Sequence, residues 1–192
     1  LGVLKLPNTY VTSPVGPVDL GSGRTAKVVS AGYQHNCAIL DDDTLKCWGW
    51  NNNGRLGYGD TTDRTAPDAT AVVDLGSGRT AKALSLGESH TCAILDDDTI
   101  KCWGGGNYIG YGDTTQREAP DATAVVNLGS GRTAKALSLG NGHTCAILDD
   151  DTLKCWGYGG QGQLGTGDTS WRGHTAGEMG DALLAINLGS GR

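Results

Sequence analysis

Six cysteines are the residues in this sequence most able to do chemistry. They stand as Cys37 and Cys47, Cys92 and Cys102, and Cys145 and Cys155, each pair ten residues apart. A histidine lies two positions before the first member of every pair (His35, His90, His143), and an acidic triplet starting at Asp41, Asp96 or Asp149 lies between the two. A hairpin centred on Asp42 sets Cys37 opposite Cys47 and Ile39 opposite Leu45. Directly opposed residues on paired strands point to one face with Cβ atoms ~4.5–5.5 Å apart, close to the ~3.5–4.5 Å that a disulfide spans. The spacing therefore predicts three intra-hairpin disulfides, each adding about 2–3 kcal/mol in the chain-entropy picture. Such bonds imply an oxidising compartment, either extracellular space or an organelle lumen. Zinc is the competing use of the same residues. His35, Cys37 and Cys47 offer three ligands where a closed structural site takes four, and no general base stands nearby for an open catalytic one.

The remaining reactive side chains are mostly repeated, which argues for architecture. A catalytic site is usually unique, so a histidine occurring three times at one position reads as a structural hydrogen-bonding residue. The nine carboxylates of the Asp triplets gather at hairpin tips and would suit calcium by type. Their spacing lacks the glycine and distal glutamate of a dedicated loop, so solvated turns are expected. Asp60 and Asp113 read likewise as turn residues that accept backbone hydrogen bonds. The glycines from Gly21 to Gly23 are followed by neither Lys-Ser/Thr nor a helix, and G-x-S-x-G is absent. No catalytic residue, cofactor site or metal site is predicted. Trp48, Trp103 and Trp156 recur and are expected to pack between units. Four residues fall outside the repeat and are the candidate interaction residues: Trp50, Tyr108, Trp171 and His174. The loops of unequal length, 104–111 and 170–181, are where contacts are expected.

The elements that position these residues follow from the repeat. LGSGRTAK begins at Leu20, Leu75 and Leu128, and LGSGR returns at Leu188, at spacings of 55, 53 and 60 residues. A two-residue deletion at GNYIGYGDTTQR, against NNNGRLGYGDTTDR, accounts for the shorter second spacing. The units run over 20–74, 75–127 and 128–187, with 1–19 as the tail strand of a preceding unit or an extension and 188–192 opening a further one. Each unit predicts four short strands, in the first at 26–31, 35–40, 44–48 and 69–75. Even spacing with Gly and Asp turns signals an all-β fold, and no 3.6-residue period competes. Four antiparallel strands in such a unit make a β-propeller blade, which must stack on its neighbours to bury its faces.

At the level of wording, the order AG-xx-H-x-x-AIL-D-x-x-x-x-K-x-WG-x-N-xx-G-x-LG-x-GD resembles the repeat of the regulator of chromosome condensation family. The resemblance rests on His35 with Ala38 to Leu40, on Trp48-Gly49, and on Gly54 to Asp60, and it recurs in three units. The second unit departs from it at 104–109. The resemblance implies a seven-bladed propeller, of which three units form three blades; a full ring would need about 370 residues. Both ends are accordingly expected to be cuts in a longer array, the alternative being an open three-blade arc whose exposed ends pair with another chain. The family's usual residues at the Cys positions are small or aliphatic, which leaves six reduced core thiols as the alternative to disulfides. The paired cysteines resemble those of a particular subgroup.

Composition narrows the function classes. The 192 residues include 32 Gly, no Phe, and a net charge of −6. Gly is far above its usual ~7 % share, as a turn-rich chain requires. The acidic balance lacks the basic stripe of a nucleic-acid binder, and no apolar run reaches the ~18 residues of a membrane span. The sequence thus predicts a non-enzymatic scaffold or protein-interaction module, as an accessory piece of a larger lumenal or extracellular assembly. Two alternatives stand beside it: carbohydrate- or calcium-dependent surface adhesion, and the guanine nucleotide exchange on a small GTPase that the family resemblance implies.

Overall fold

A computed structural model describes residues 16–189. They form three antiparallel sheets of three strands each. The first contains β1 (Ala26–Ala31), β2 (His35–Leu40) and β3 (Leu45–Gly49). The second contains β4 (Ala81–Leu86), β5 (His90–Leu95) and β6 (Ile100–Gly104), and the third β7 (Ala134–Leu139), β8 (His143–Leu148) and β9 (Leu153–Gly157). Register is identical in all three, with Cys37 opposite Cys47, Cys92 opposite Cys102 and Cys145 opposite Cys155. Most of the two terminal segments expected at 1–19 and 188–192, namely residues 1–15 and 190–192, lies outside the described residues.

The acidic triplet makes the hairpin turn by a definite route. Asp43, Asp98 and Asp151 take left-handed backbone angles near φ +65°, a region Asp tolerates better than most residues. Asp42 Oδ1 accepts from both the amide (3.2 Å) and the hydroxyl (2.7 Å) of Thr44, closing an Asx turn. The central strand is the most apolar, and every residue of β5 is buried.

Four strands per blade were expected, and the fourth does not form. The stretch 69–75 runs beside β3 but makes a single ladder bond, Val73 N–H to the Leu45 carbonyl (2.8 Å); Val126 to Ile100 (2.9 Å) and Ile186 to Leu153 (2.8 Å) repeat it. Two competing partners hold its first residues. The Asp68 carboxylate accepts from the amides of Thr70 and Ala71, and the Lys46 ammonium donates to the carbonyls of Asp68 (2.6 Å) and Ala69 (3.2 Å). The backbone groups of 69–71 are thereby committed elsewhere, while Val73 and Leu75 point inward.

Two cores lie between the three sheets. One joins Cys37, Ile39, Leu45, Cys47 and Leu56 of the first blade to Leu86, Ala93, Leu95 and Trp103 of the second. The other joins Cys92, Ile94, Ile100, Cys102 and Ile109 to Ala146, Leu148, Trp156, Met179 and Leu183. The first and second blades therefore each bury their disulfide face against the next. At the outer face of the third sheet Ile147 is 42 % exposed, whereas its counterparts Ile39 and Ile94 are each 2 % exposed.

Candidate functional site

Most of the repeated polar residues prove to be joints of the fold. All six cysteines are disulfide-bonded within their hairpins, with Cα atoms 4.1 Å apart. The register makes Cys37 and Cys47 a non-hydrogen-bonded pair, the closer of the two cross-strand types. The Cys47 amide therefore faces the outer edge of the hairpin, where it donates to the Tyr58 hydroxyl (3.0 Å). Tyr58 is braced from behind by the Arg64 guanidinium, 4.0 Å over its ring, and Arg64 is held bidentately by Asp60 (3.1 and 3.0 Å). Tyr111, Arg117 and Asp113 repeat this brace. Burial pushes the Tyr111 hydroxyl up to about 12, and the Arg117 hydrogen bond pulls Asp113 down to about 2.

The histidines form a relay between blades. His35 Nε2 lies 2.8 Å from the Thr91 hydroxyl of the next blade, and that hydroxyl donates to the Arg55 carbonyl (2.9 Å). A hydroxyl has one proton, so Thr91 must accept from His35 Nε2–H. Trp103 Nε1–H donates to the same Arg55 carbonyl (3.0 Å). The second joint repeats the relay through His90, Thr144 (2.9 Å) and the Tyr108 carbonyl (3.1 Å). Burial holds His35 and His90 down to about 3, and each is therefore neutral. The indole edges of Trp103 and Trp156 rest on Gly57 (φ +84°) and Gly110 (φ +78°), where a Cβ would stand 2.6 and 2.4 Å from Nε1.

The acidic triplets are paired within their own blades. Arg24 lies 3.3 Å from Asp41 and 2.8 Å from Asp42, and Lys27 lies 2.7 Å from Asp43. Arg132 and Lys135 do the same for Asp149 to Asp151. Among the described residues no group of three or more His, Cys, Asp or Glu is arranged to hold a metal ion.

The opposite rim carries the residues that break the repeat, and three of the four candidate interaction residues meet there. Trp171 packs 6.3 Å from Tyr108 and 5.8 Å from His174, centroid to centroid, and edge-on to Tyr158 at 5.0 Å. All four rings are half-buried. His174 Nδ1 lies 3.1 Å from Glu178 Oε2, which also accepts from the His174 and Thr175 amides. Trp50 stands apart on the first blade, with the Arg55 guanidinium 4.3 Å over its ring. Sequence reading missed Tyr158, although it stands at the position of Trp50 and Gly105 and differs from both. It also missed the buried lysines: Lys101 Nζ donates to the carbonyls of Leu75 (3.0 Å), Asp121 (2.5 Å) and Ala122 (3.3 Å), tying the first residue of its unit to that unit's tail. The K-x-W spacing was the available signal.

A profile described as the regulator of chromosome condensation (RCC1) repeat matches residues 27–55, 81–109 and 134–163, and a second of the same description matches 42–94. The chain belongs to the RCC1 repeat family. Among curated RCC1-repeat relatives, the ultraviolet-B receptor UVR8 of Arabidopsis thaliana is 32 % identical over 154 residues, covering 79 % of this chain and 34 % of UVR8. The probable E3 ubiquitin-protein ligase HERC3 of Homo sapiens is 31 % identical over 144 residues, covering 73 % of this chain and 13 % of HERC3. The chain thus spans about a third of one relative and about an eighth of the other. Among solved structures, Prp20p of Saccharomyces cerevisiae superposes with a TM-score of 0.67 at 17 % identity, over 88 % of this chain and 38 % of that one. Human WBSCR16 gives 0.66 at 19 % identity, over 78 % and 36 %. At those identities the likeness establishes the RCC1 propeller fold, which the sequence reading anticipated.

Proposed function

We propose that this RCC1-repeat chain is a non-enzymatic, disulfide-clamped binding scaffold that works in an oxidising compartment, extracellular or lumenal. Its partners are other proteins within a larger assembly. One observation carries the reading: the residues by which the units differ, Tyr108, Tyr158, Trp171 and His174, converge on one rim, while the residues they share are spent on joints. Large, half-exposed aromatics with few rotamers are favoured contact residues. Related propellers supply an analogy: one yeast RCC1 structure is a complex with Kap60, and Prp20p is described with binding properties toward Gsp1p and histones. Nucleotide exchange on a small GTPase is less well supported here, since it calls for a reducing setting that three closed disulfides count against.

The test is capture of partner proteins by the immobilised, disulfide-intact chain, compared with Trp171→Ala, Tyr158→Ala and Trp50→Ala variants. The reading expects the first two to lose at least fivefold of the captured material and the third to match the parent. Equal capture by all four proteins would overturn the choice of surface.

A further inference from the structure

A cleft of ≈ 380 Å³ opens beside the aromatic cluster, on the same rim, and spans all three blades. It exists because of what the second unit lacks. In the first and third units the Trp-Gly pair is followed by an aromatic, Trp50 and Tyr158; in the second it is followed by Gly105, and two tip-loop residues are deleted. The walls then come from Asn53, Ser89, Asn107, Thr114, Gln116 and Asn141, with Glu88 at the edge and Tyr108 on the side facing Trp171.

The chemistry of these walls selects a ligand class. Amides and hydroxyls offer donors and acceptors in equal measure. Among the described residues, the side chains of Asn53, Ser89, Asn107, Thr114 and Asn141 take no part in the hydrogen bonds that hold the fold; Gln116 makes one, to Glu118 (3.3 Å). No Lys or Arg lines the cleft, and its one charged residue is Glu88, so anions find no counter-charge. Arg55 lies behind the wall, buried and committed to the carbonyls of Asn52 and Glu88. Tyr108 alone provides an aromatic surface, braced by His90 at 5.7 Å and Trp171 at 6.3 Å. A ligand with many neutral hydroxyls and one apolar C–H face fits all of this, and the volume lies in the range of small-molecule clefts.

We infer that the cleft between Gly105 and Asn141 is a subsite for a neutral saccharide. The inference rests on the proposed reading of this rim as the binding side. Gly105 provides a test that spares the fold: its backbone angles (φ −61°, ψ 117°) suit any residue, and a Cβ there meets first the rotatable Ser89 hydroxyl, at 3.1 Å. Gly105→Trp would restore the aromatic of the first blade and fill the cleft.

The experiment applies the disulfide-intact chain to an array of neutral and sialylated oligosaccharides, then titrates the best-retained neutral one calorimetrically. The inference expects retention of neutral oligosaccharides. It also expects at least tenfold weaker binding by Gly105→Trp and by Asn107→Ala, at unchanged denaturation midpoints. Retention of none, a preference for sialylated ones, or undiminished binding by Gly105→Trp would each overturn it. If no saccharide is retained while Trp171→Ala still loses protein partners, the saccharide subsite falls and the scaffold reading stands.

Discussion

Replacing Thr91 by Val tests the joint between the first two blades with almost no change of shape. The hydroxyl it removes is fully buried and serves two groups: it accepts from His35 Nε2–H (2.8 Å) and donates to the Arg55 carbonyl (2.9 Å). The two losses are unequal. Arg55 keeps its second donor, Trp103 Nε1–H at 3.0 Å, so that side costs about 0.5–1 kcal/mol. His35 is 1 % exposed, and its Nε2–H would be left without an acceptor, at about 1–3 kcal/mol. The expected loss is about 1.5–4 kcal/mol, or roughly 3–16 °C in Tm for a chain of this size. Urea denaturation followed by tryptophan fluorescence reads it directly, since Trp103 sits on the same carbonyl. Asn36 occupies the same position in the first blade, and among the described residues its side chain makes no such bond, so Asn36→Val should stay within about 0.5 kcal/mol. Adding His35→Leu to Thr91→Val removes both partners, and the double variant should lose less than the two singles combined. A Thr91→Val loss below about 0.5 kcal/mol, or strict additivity in the cycle, would refute the relay.

The same burial sets a pH dependence. His35 and His90 titrate at about 3 in the folded chain against 6.5 when exposed. Their folded values are depressed, so the stability they confer is present in full above pH 6.5 and is lost as the pH falls toward 3. Each contributes a slope of about 1.4 kcal/mol per pH unit in that window, and denaturation midpoints between pH 8 and 4.5 should be flat, then fall; a midpoint unchanged down to pH 4.5 would contradict the assignment. The three disulfides should also differ under graded reduction. Cys37, Cys47, Cys92 and Cys102 are fully buried in the inter-blade cores, whereas Cys145 lies half-buried on the outer face of the third sheet. Partial reduction followed by alkylation and peptide mass mapping should therefore label Cys145 and Cys155 first, and simultaneous labelling of all six would count against the stacking.

The hairpins were legible because their signal is local. Cys-x9-Cys with an acidic triplet at the centre fixes turn, register and opposed faces together, and β2 forms with the expected bounds. The fourth strand was misread because an apolar run says nothing of where its carbonyls go; the buried Lys46 ammonium and the Asp68 carboxylate decide that, and both lie outside the run. Trp171 and His174 could be singled out as departures from the repeat. Trp171 meets Tyr158 within its own unit, but that it also meets Tyr108 depends on how two blades stack, which no single unit encodes. The cleft beside Gly105 is a matter of missing side chains, and sequence shows it only when the three units are laid over one another.

The most direct test of a disulfide-clamped scaffold is the thiol state of the protein as isolated from its own source. Alkylation without reductant, read by intact mass, should modify none of the six cysteines in these three blades, and alkylation after reduction should modify all six. Six reactive thiols before reduction would contradict the account, because the hairpin clamps and the oxidising compartment would fall together.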